Sequence, residues 1–274
     1  MSSTRAVRLG NATVPLTAKP GSKVDLDLVE QFGPFKDWVA ALGKEMTESP
    51  VASRVAIRGI EVTDVDEFGS GKVGFVKFRA DVNWSDEAGG RIPGVVFSRG
   101  GSVALLVLVK PKDDGKAEEE ERVVLVVQPR IPIAVLEFTE LPAGMLDGDN
   151  KFAGTAAREL QEECGIEISE DELTDLTELA FGSNPKSDLR SSGVYSSPGG
   201  SDEFIRLFLC RKTLPLEDIK RLEGKQAGLR GDGERIEVKL VKLKDLWRAT
   251  RDMKALSALA LYQQCAAAGL LPKS

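Results

Sequence analysis

The sequence predicts an α/β protein in which a small β-rich module precedes a longer domain that mixes strands with helices. Three observations carry this expectation. Between Val55 and Arg99, short runs rich in β-branched residues are punctuated by glycines, as in a series of short strands and turns. From Gly101 onward the apolar runs lengthen, first at 102–110 and then at 122–128. Further on, Phe152, Ala156, Leu160 and Cys164 recur every fourth residue, which is the core-facing stripe of an amphipathic helix.

Taken in order, residues 1–23 read as an N-terminal tail. Arg5, Arg8, Lys19 and Lys23 give it a basic, acid-free character with a weak resemblance to a transit peptide, so organelle import stands as the alternative to a cytoplasmic location. The module spans 24–100. It opens with Leu26, Leu28, Val29, Phe32, Phe35, Trp38, Val39 and Leu42, spaced as one or two short helices broken near Gly33 and Pro34. Strands follow at 55–65, 73–82 and 95–99, with turns at Gly69, Gly71, Gly89 and Gly90. Trp84, next to a turn, reads as core or interface packing.

The second domain spans 101–274. Its first two strands are joined by a charged, solvated loop at 113–121. A strand at 135–140 leads into the turn Leu141-Pro-Ala-Gly144 and then the striped helix. Strands at 173–180, 204–211 and 235–242 complete a sheet. One helix runs near 216–223 and ends at Gly224; another runs near 252–268 and ends at Gly269, with Pro272 beyond.

Composition narrows the chemistry. A chain of 274 residues, 42% hydrophobic and 29% charged, can bury a substantial core and reads as soluble, with no apolar run long enough to span a bilayer. It contains no histidine, which excludes histidine-dependent triads, His-ligated zinc and HExxH chemistry and leaves carboxylates as acid, base and metal ligands. Cys164, Cys210 and Cys265 are far apart and suggest neither a disulfide framework nor a thiolate site. A formal net charge of -6 argues against a nucleic-acid surface.

The striped helix also carries Arg158, Glu159, Glu162 and Glu163. Positions i, i+3 and i+4 share a helix face, so the three carboxylates point into one volume. Two carboxylates about 6 Å apart repel by roughly 3 kcal/mol at an effective dielectric of about 20, which a shared cation would offset. Glu159 and Glu163 lie seven residues after Phe152 and Ala156, beside the buried stripe. Oxygen ligands select hard cations, Mg2+ first and Mn2+ next. The competing reading is a charged helix surface with Arg158 and Glu162 as an i,i+4 pair.

Flanking residues favour the metal site. Gly144, Arg158, Glu159, Leu160, Glu162, Glu163, Gly165 and Ile166 fall in register with the pattern G-x5-E-x7-R-E-U-x-E-E-x-G-U, where U is aliphatic. The segment resembles the Nudix box. One position departs: the first glutamate of the pattern is Asn150 here, placed to cap the helix.

Two further features sharpen the resemblance. The loop Ser197-Pro-Gly-Gly-Ser-Asp-Glu203 ends in two acids before an apolar strand, as a mobile base would, though a glycine hairpin with solvated acids reads equally well. Arg99 and Arg130 sit at strand ends, suited either to phosphate or to structural ion pairs. With the segments 74–80, 93–101 and 229–247, these features resemble the ADP-ribose and ADP-sugar pyrophosphatases of the Nudix superfamily, in their fungal and plant branch.

That resemblance implies an α/β/α sandwich with a mixed sheet, and an N-terminal β module that builds a homodimer. It implies a Mg2+-dependent hydrolase splitting ADP-ribose or ADP-glucose to AMP and a sugar phosphate. Metal ligation falls to the Ala143 carbonyl, Glu159, Glu163 and Glu203; catalysis to Glu203, Glu162 and Arg158; substrate binding to Arg99 and Arg130. A UDP-sugar pyrophosphatase and a non-hydrolysing nucleotide-binding scaffold are the alternatives.

Overall fold

The computed structural model describes residues 4–68, 71–87, 89–112, 120–146, 152–182, 193–228 and 235–272. The chain divides into two units, Met1–Gly101 with Tyr195–Phe204 and Ser102–Val194 with Ile205–Ser274.

In the first unit, alternation of apolar and polar residues folds the start of the chain into a hairpin, β1 (Thr4–Leu9) and β2 (Ala12–Ala18). Val7, Leu9, Val14 and Leu16 enter the core, so residues 4–18 are structured strands and not the tail that the basic composition suggested. Two helices follow, α1 (Leu26–Gln31) and α2 (Gly33–Glu48). Asp25 caps the first by accepting from the Asp27 amide at 2.9 Å, and Pro34 opens the second, where a missing N–H costs nothing. Next come β3 (Val55–Phe68), β4 (Lys72–Trp84), β5 (Arg91–Ile92) and β6 (Val95–Ser98). Among the described residues these form a sheet in the order β1-β2-β3-β4-β5, with β6 also on β4. The β2–β3 pair is parallel, as its helical crossover requires. Val29, Phe35, Ile60, Val62, Val76 and Phe78 pack with the hairpin into one core. Trp84 is exposed and lies outside the core, with the Arg54 guanidinium 5.6 Å from its ring.

The second unit contains β7 (Ser102–Pro111), β8 (Arg122–Arg130), β9 (Val135–Glu140), β10 (Ala143–Met145), α3 (Phe152–Cys164), β11 (Leu173–Asp175), α4 (Leu176–Phe181) and β12 (Val194–Tyr195). It continues with β13 (Phe204–Leu214), α5 (Leu216–Leu222), β14 (Gln226–Ala227), β15 (Ile236–Lys242), α6 (Leu246–Ala249) and α7 (Met253–Ala267). The described strands run β11-β13-β7-β8-β15-β14, with β10 beside β7, β12 beside β13 and β9 beside β8. The sheet is mixed: β13 runs parallel to β7 and β8 antiparallel to it. Along β7, Ala104, Leu106 and Leu108 pack with Ala255, Ala258 and Leu259 of α7. Val103, Leu105, Val107 and Val109 alternate to the other face and are equally buried, and α3 and α5 also lie against β7. Helices thus cover both faces, which is why the central strands read as unbroken apolar runs.

The expected strand at 173–180 is corrected. Only Leu173–Asp175 is extended; the Asp175 side chain then accepts from the Glu178 amide at 2.8 Å and starts α4. The turn at Pro142–Gly144 also becomes a short strand, β10, on β7. Asn150, Gly69, the charged loop at 113–119 and positions 183–192 and 229–234 lie outside the described residues. Among the described residues no helix is long and apolar enough to cross a membrane.

Candidate active site

The 3.6-residue period of α3 buries Phe152, Ala156, Leu160 and Cys164 and carries Glu163 in with them. Glu163 is 6% exposed. Its Oε2 accepts from the Ala143 amide at 3.0 Å and its Oε1 from Gln128 Nε2 at 3.4 Å. Burial, and after it the Glu159 carboxylate, pushes the Glu163 pKa up to about 8, against the pull of the Ala143 amide. Glu159 reaches the same turn. A Cβ on Gly144 would lie 2.0 Å from the Glu159 carboxylate, so the box glycine leaves room for a carboxylate. At the far end of α3, Gly165 adopts φ +63, and Lys225 Nζ donates to the Cys164 carbonyl at 3.1 Å, closing the helix.

Arg158 is exposed, with a guanidinium nitrogen 3.9 Å from Glu159 Oε1. Glu162 is partly exposed, and its carbonyl accepts from the Gly228 amide at 3.1 Å. Arg130, read as a phosphate contact, donates from Nε to Glu140 Oε1 at 2.6 Å. The buried Glu140 accepts on its other oxygen from Lys254 Nζ at 2.7 Å, and Lys254 also donates to Asp252 Oδ1 at 3.0 Å. Burial would pull the Lys254 pKa down, but Asp252 and Glu140 outweigh it and hold the ammonium above the ordinary lysine value. Sequence reasoning missed Lys254 and the second role of Asp252. A helix start at 252 was legible, but nothing local ties it to Glu140.

In the first unit, Arg99 Nε lies 3.5 Å from Glu203 Oε1, and its guanidinium sits 5.6 Å from the Phe75 ring. Glu203 Oε2 accepts from Ser196 Oγ at 2.9 Å. Asp202 is buried and accepts from Ser98 Oγ at 2.6 Å, the Arg99 amide at 2.8 Å and the Gly100 amide at 3.1 Å. With the Phe97 amide donating to the Gly200 carbonyl at 2.8 Å, these bonds fasten the glycine loop to the end of β6.

Among the described residues, no three Cys, Asp or Glu side chains converge closely enough to hold an ion by themselves. The pair Glu159 and Glu163, with the backbone of Ala143 beside it, nonetheless fits a hard divalent cation. Both are oxygen donors, Glu163 is buried with no ion pair to a cation among the described residues, and the Glu159 charge raises the cost of ionising it.

The NUDIX domain model matches residues 106–261, from within β7 to within α7, and takes in all of α3. The chain belongs to the Nudix family. Over 238 residues it is 39% identical to Nudix hydrolase 14, chloroplastic, of Arabidopsis thaliana, covering 86% of this chain and 72% of that protein. Over 162 residues it is 30% identical to the ADP-ribose pyrophosphatase of Bacillus subtilis (strain 168), covering 59% of this chain and 69% of that one. The crystal structure of an ADP compounds hydrolase superposes with a TM-score of 0.49 at 16% identity, covering 80% of this chain and 97% of that chain. As a Nudix hydrolase, the protein is a pyrophosphate-hydrolysing enzyme whose box spans β10 and α3.

Proposed function

We propose that this Nudix hydrolase uses Mg2+, or Mn2+, to split the diphosphate of an ADP-sugar, ADP-ribose or ADP-glucose, into AMP and a sugar phosphate. The observation that carries the reading is the buried Glu163, repelled by Glu159 and held by the Ala143 amide. The name of the Bacillus relative supports the substrate class.

In this reading Glu159, Glu163 and the Ala143 carbonyl hold the cation, with Glu203 as a further ligand or as the general base. A divalent ion bound there supplies Lewis acidity, polarising the phosphoryl group and lowering the pKa of water. Gln128 and the Ala143 amide keep the Glu163 carboxylate oriented. Arg158 steadies the acidic face from Glu159, and Glu162 assists on the same turn. Arg99 and Arg130 bind the phosphates, each exchanging a carboxylate partner for substrate oxygens. A homodimer built by the N-terminal module belongs to the same reading; the exposed Ile131, Ile133 and Leu136 around the β8–β9 turn, which also favour self-association, lie in the second unit. A cytoplasmic location belongs to this reading too, although the name of the Arabidopsis relative assigns that protein to the chloroplast.

The test is release of the nucleoside monophosphate, AMP from ADP-ribose and ADP-glucose and UMP from UDP-glucose, in parallel, with Mg2+ and with chelator, beside Glu163→Gln. Metal-dependent AMP release from an ADP-sugar, lost in the variant, is the expected result. Preference for UDP-glucose would move the assignment to the other base, and turnover in chelator would remove the metal from it.

A further inference from the structure

Lys254 lies 114 residues after Glu140 in the chain and is not part of the Nudix box, yet its ammonium is bonded to the residue that opens the metal-site turn. We propose that Lys254, together with Asp252, is a positioning residue: the start of α7 clamps the turn after β9 so that Ala143 faces Glu163. The inference rests on the metal site proposed above.

The clamp grips two consecutive residues. Lys254 Nζ holds the Glu140 side chain at 2.7 Å, and Asp252 Oδ2 accepts the Leu141 amide at 3.0 Å. The same ammonium donates to Asp252 Oδ1 at 3.0 Å, joining the two grips into one unit. From Leu141 to Ala143 the backbone has little freedom left. Pro142 fixes its own φ, and its carbonyl accepts from the Leu105 amide of β7 at 3.0 Å. The placement of the Ala143 peptide therefore follows from where Glu140 and Leu141 are held. The holder is itself rigid, because Ala255, Ala258 and Leu259 of α7 are packed into the sheet.

Charge requires the same lysine. Glu140 and Asp252 are both buried, and Lys254 is the cation they share; of these two carboxylates Arg130 pairs with Glu140. Without the Lys254 ammonium, the Asp252 carboxylate keeps, among the described residues, the amides of Leu141 and residue 254, and Glu140 is free to swing with the more exposed Arg130. Groups behind a ligand set typically change metal affinity by about 10- to 100-fold when removed.

The experiment is binding of Mn2+ alone, followed by electron paramagnetic resonance, to the wild type, Lys254→Met and the double variant Glu140→Gln/Lys254→Met. Thermal unfolding of each identifies the folded range. The double variant removes the Glu140 and Lys254 charges together and leaves the Asp252 carboxylate on the amides of Leu141 and residue 254, so it decides the matter if Lys254→Met does not fold. The expected result is Mn2+ binding weakened about tenfold or more in a folded variant. A folded variant that takes up Mn2+ as the wild type does overturns the positioning role and leaves the metal site standing. A wild type that takes up no Mn2+ overturns the metal site, and this inference with it.

Discussion

The Ala143 amide donates to Glu163 Oε2 across 3.0 Å, joining the turn after β9 to the last turn of α3. That bond favours the ionised carboxylate, yet burial and the neighbouring Glu159 win, and the Glu163 pKa rises to about 8 from an ordinary 4.5. A carboxyl whose pKa is raised on folding binds its proton more tightly in the folded state, so ionising it costs stability. The cost is absent below about pH 4.5, grows through the window up to about pH 8 and is complete above it. In chelator, the unfolding midpoint of the wild type should therefore fall as pH rises through that window. Glu163→Gln, which stays neutral, should flatten the slope; equal slopes in the two proteins would refute the assignment.

Gly144 lies where any side chain would strike the Glu159 carboxylate, a Cβ falling 2.0 Å from its carbon. Its φ is not positive, so alanine is tolerated by the backbone and the conflict is steric. Gly144→Ala should fold normally, push the Glu159 carboxylate out of place and lower kcat/KM by about 100-fold, the scale expected for a misplacement near 1 Å. Circular dichroism and steady-state kinetics check the two halves. Full activity would mean that Glu159 need not occupy its position beside the glycine.

The carboxylate helix was legible because its signals are local: a four-residue apolar spacing and charges at fixed offsets report directly on one face. The N-terminal hairpin carries an equally local signal, against the tail expected there. Val7, Leu9, Val14 and Leu16 alternate around Gly10 and Asn11, a period that the basic, acid-free composition of the segment masks. At 173–180 the decisive signal was Asp175 followed three residues later by Glu178, a helix start that the apolar residues around it concealed. Lys254 had no readable signal, since its role arises only when α7 and β9 meet in three dimensions. The partners of Arg99 and Arg130 were hidden for the same reason.

Asp202 accepts three hydrogen bonds from Ser98, Arg99 and Gly100 while buried, and it is the anchor of the loop that carries Glu203. Asp202→Ala leaves a buried hydroxyl and two amides without their acceptor, at a cost of about 3 kcal/mol. Asp202→Asn keeps one carbonyl oxygen and should lose about half as much. Denaturant unfolding measures both, and an alanine variant within about 0.5 kcal/mol of wild type would mean that the loop is held some other way.

Glu203 and Arg99 form a partly exposed ion pair at 3.5 Å, a separation at which such a pair adds about 1 kcal/mol or less to stability. Their proposed roles are unequal, and kinetics can separate them. Glu203→Gln preserves shape and the contact with Ser196 but removes the basic, metal-binding charge, so kcat should fall by about 100-fold or more with KM little changed. Arg99→Gln removes a phosphate contact available before the chemical step, so KM for the ADP-sugar should rise while kcat falls less. Both variants should unfold close to the wild-type temperature, because the pair is worth little to the fold. If Glu203→Gln kept kcat within about threefold, far less than general-base removal costs, the loop glutamate would be an ion-pair partner of Arg99 and nothing more.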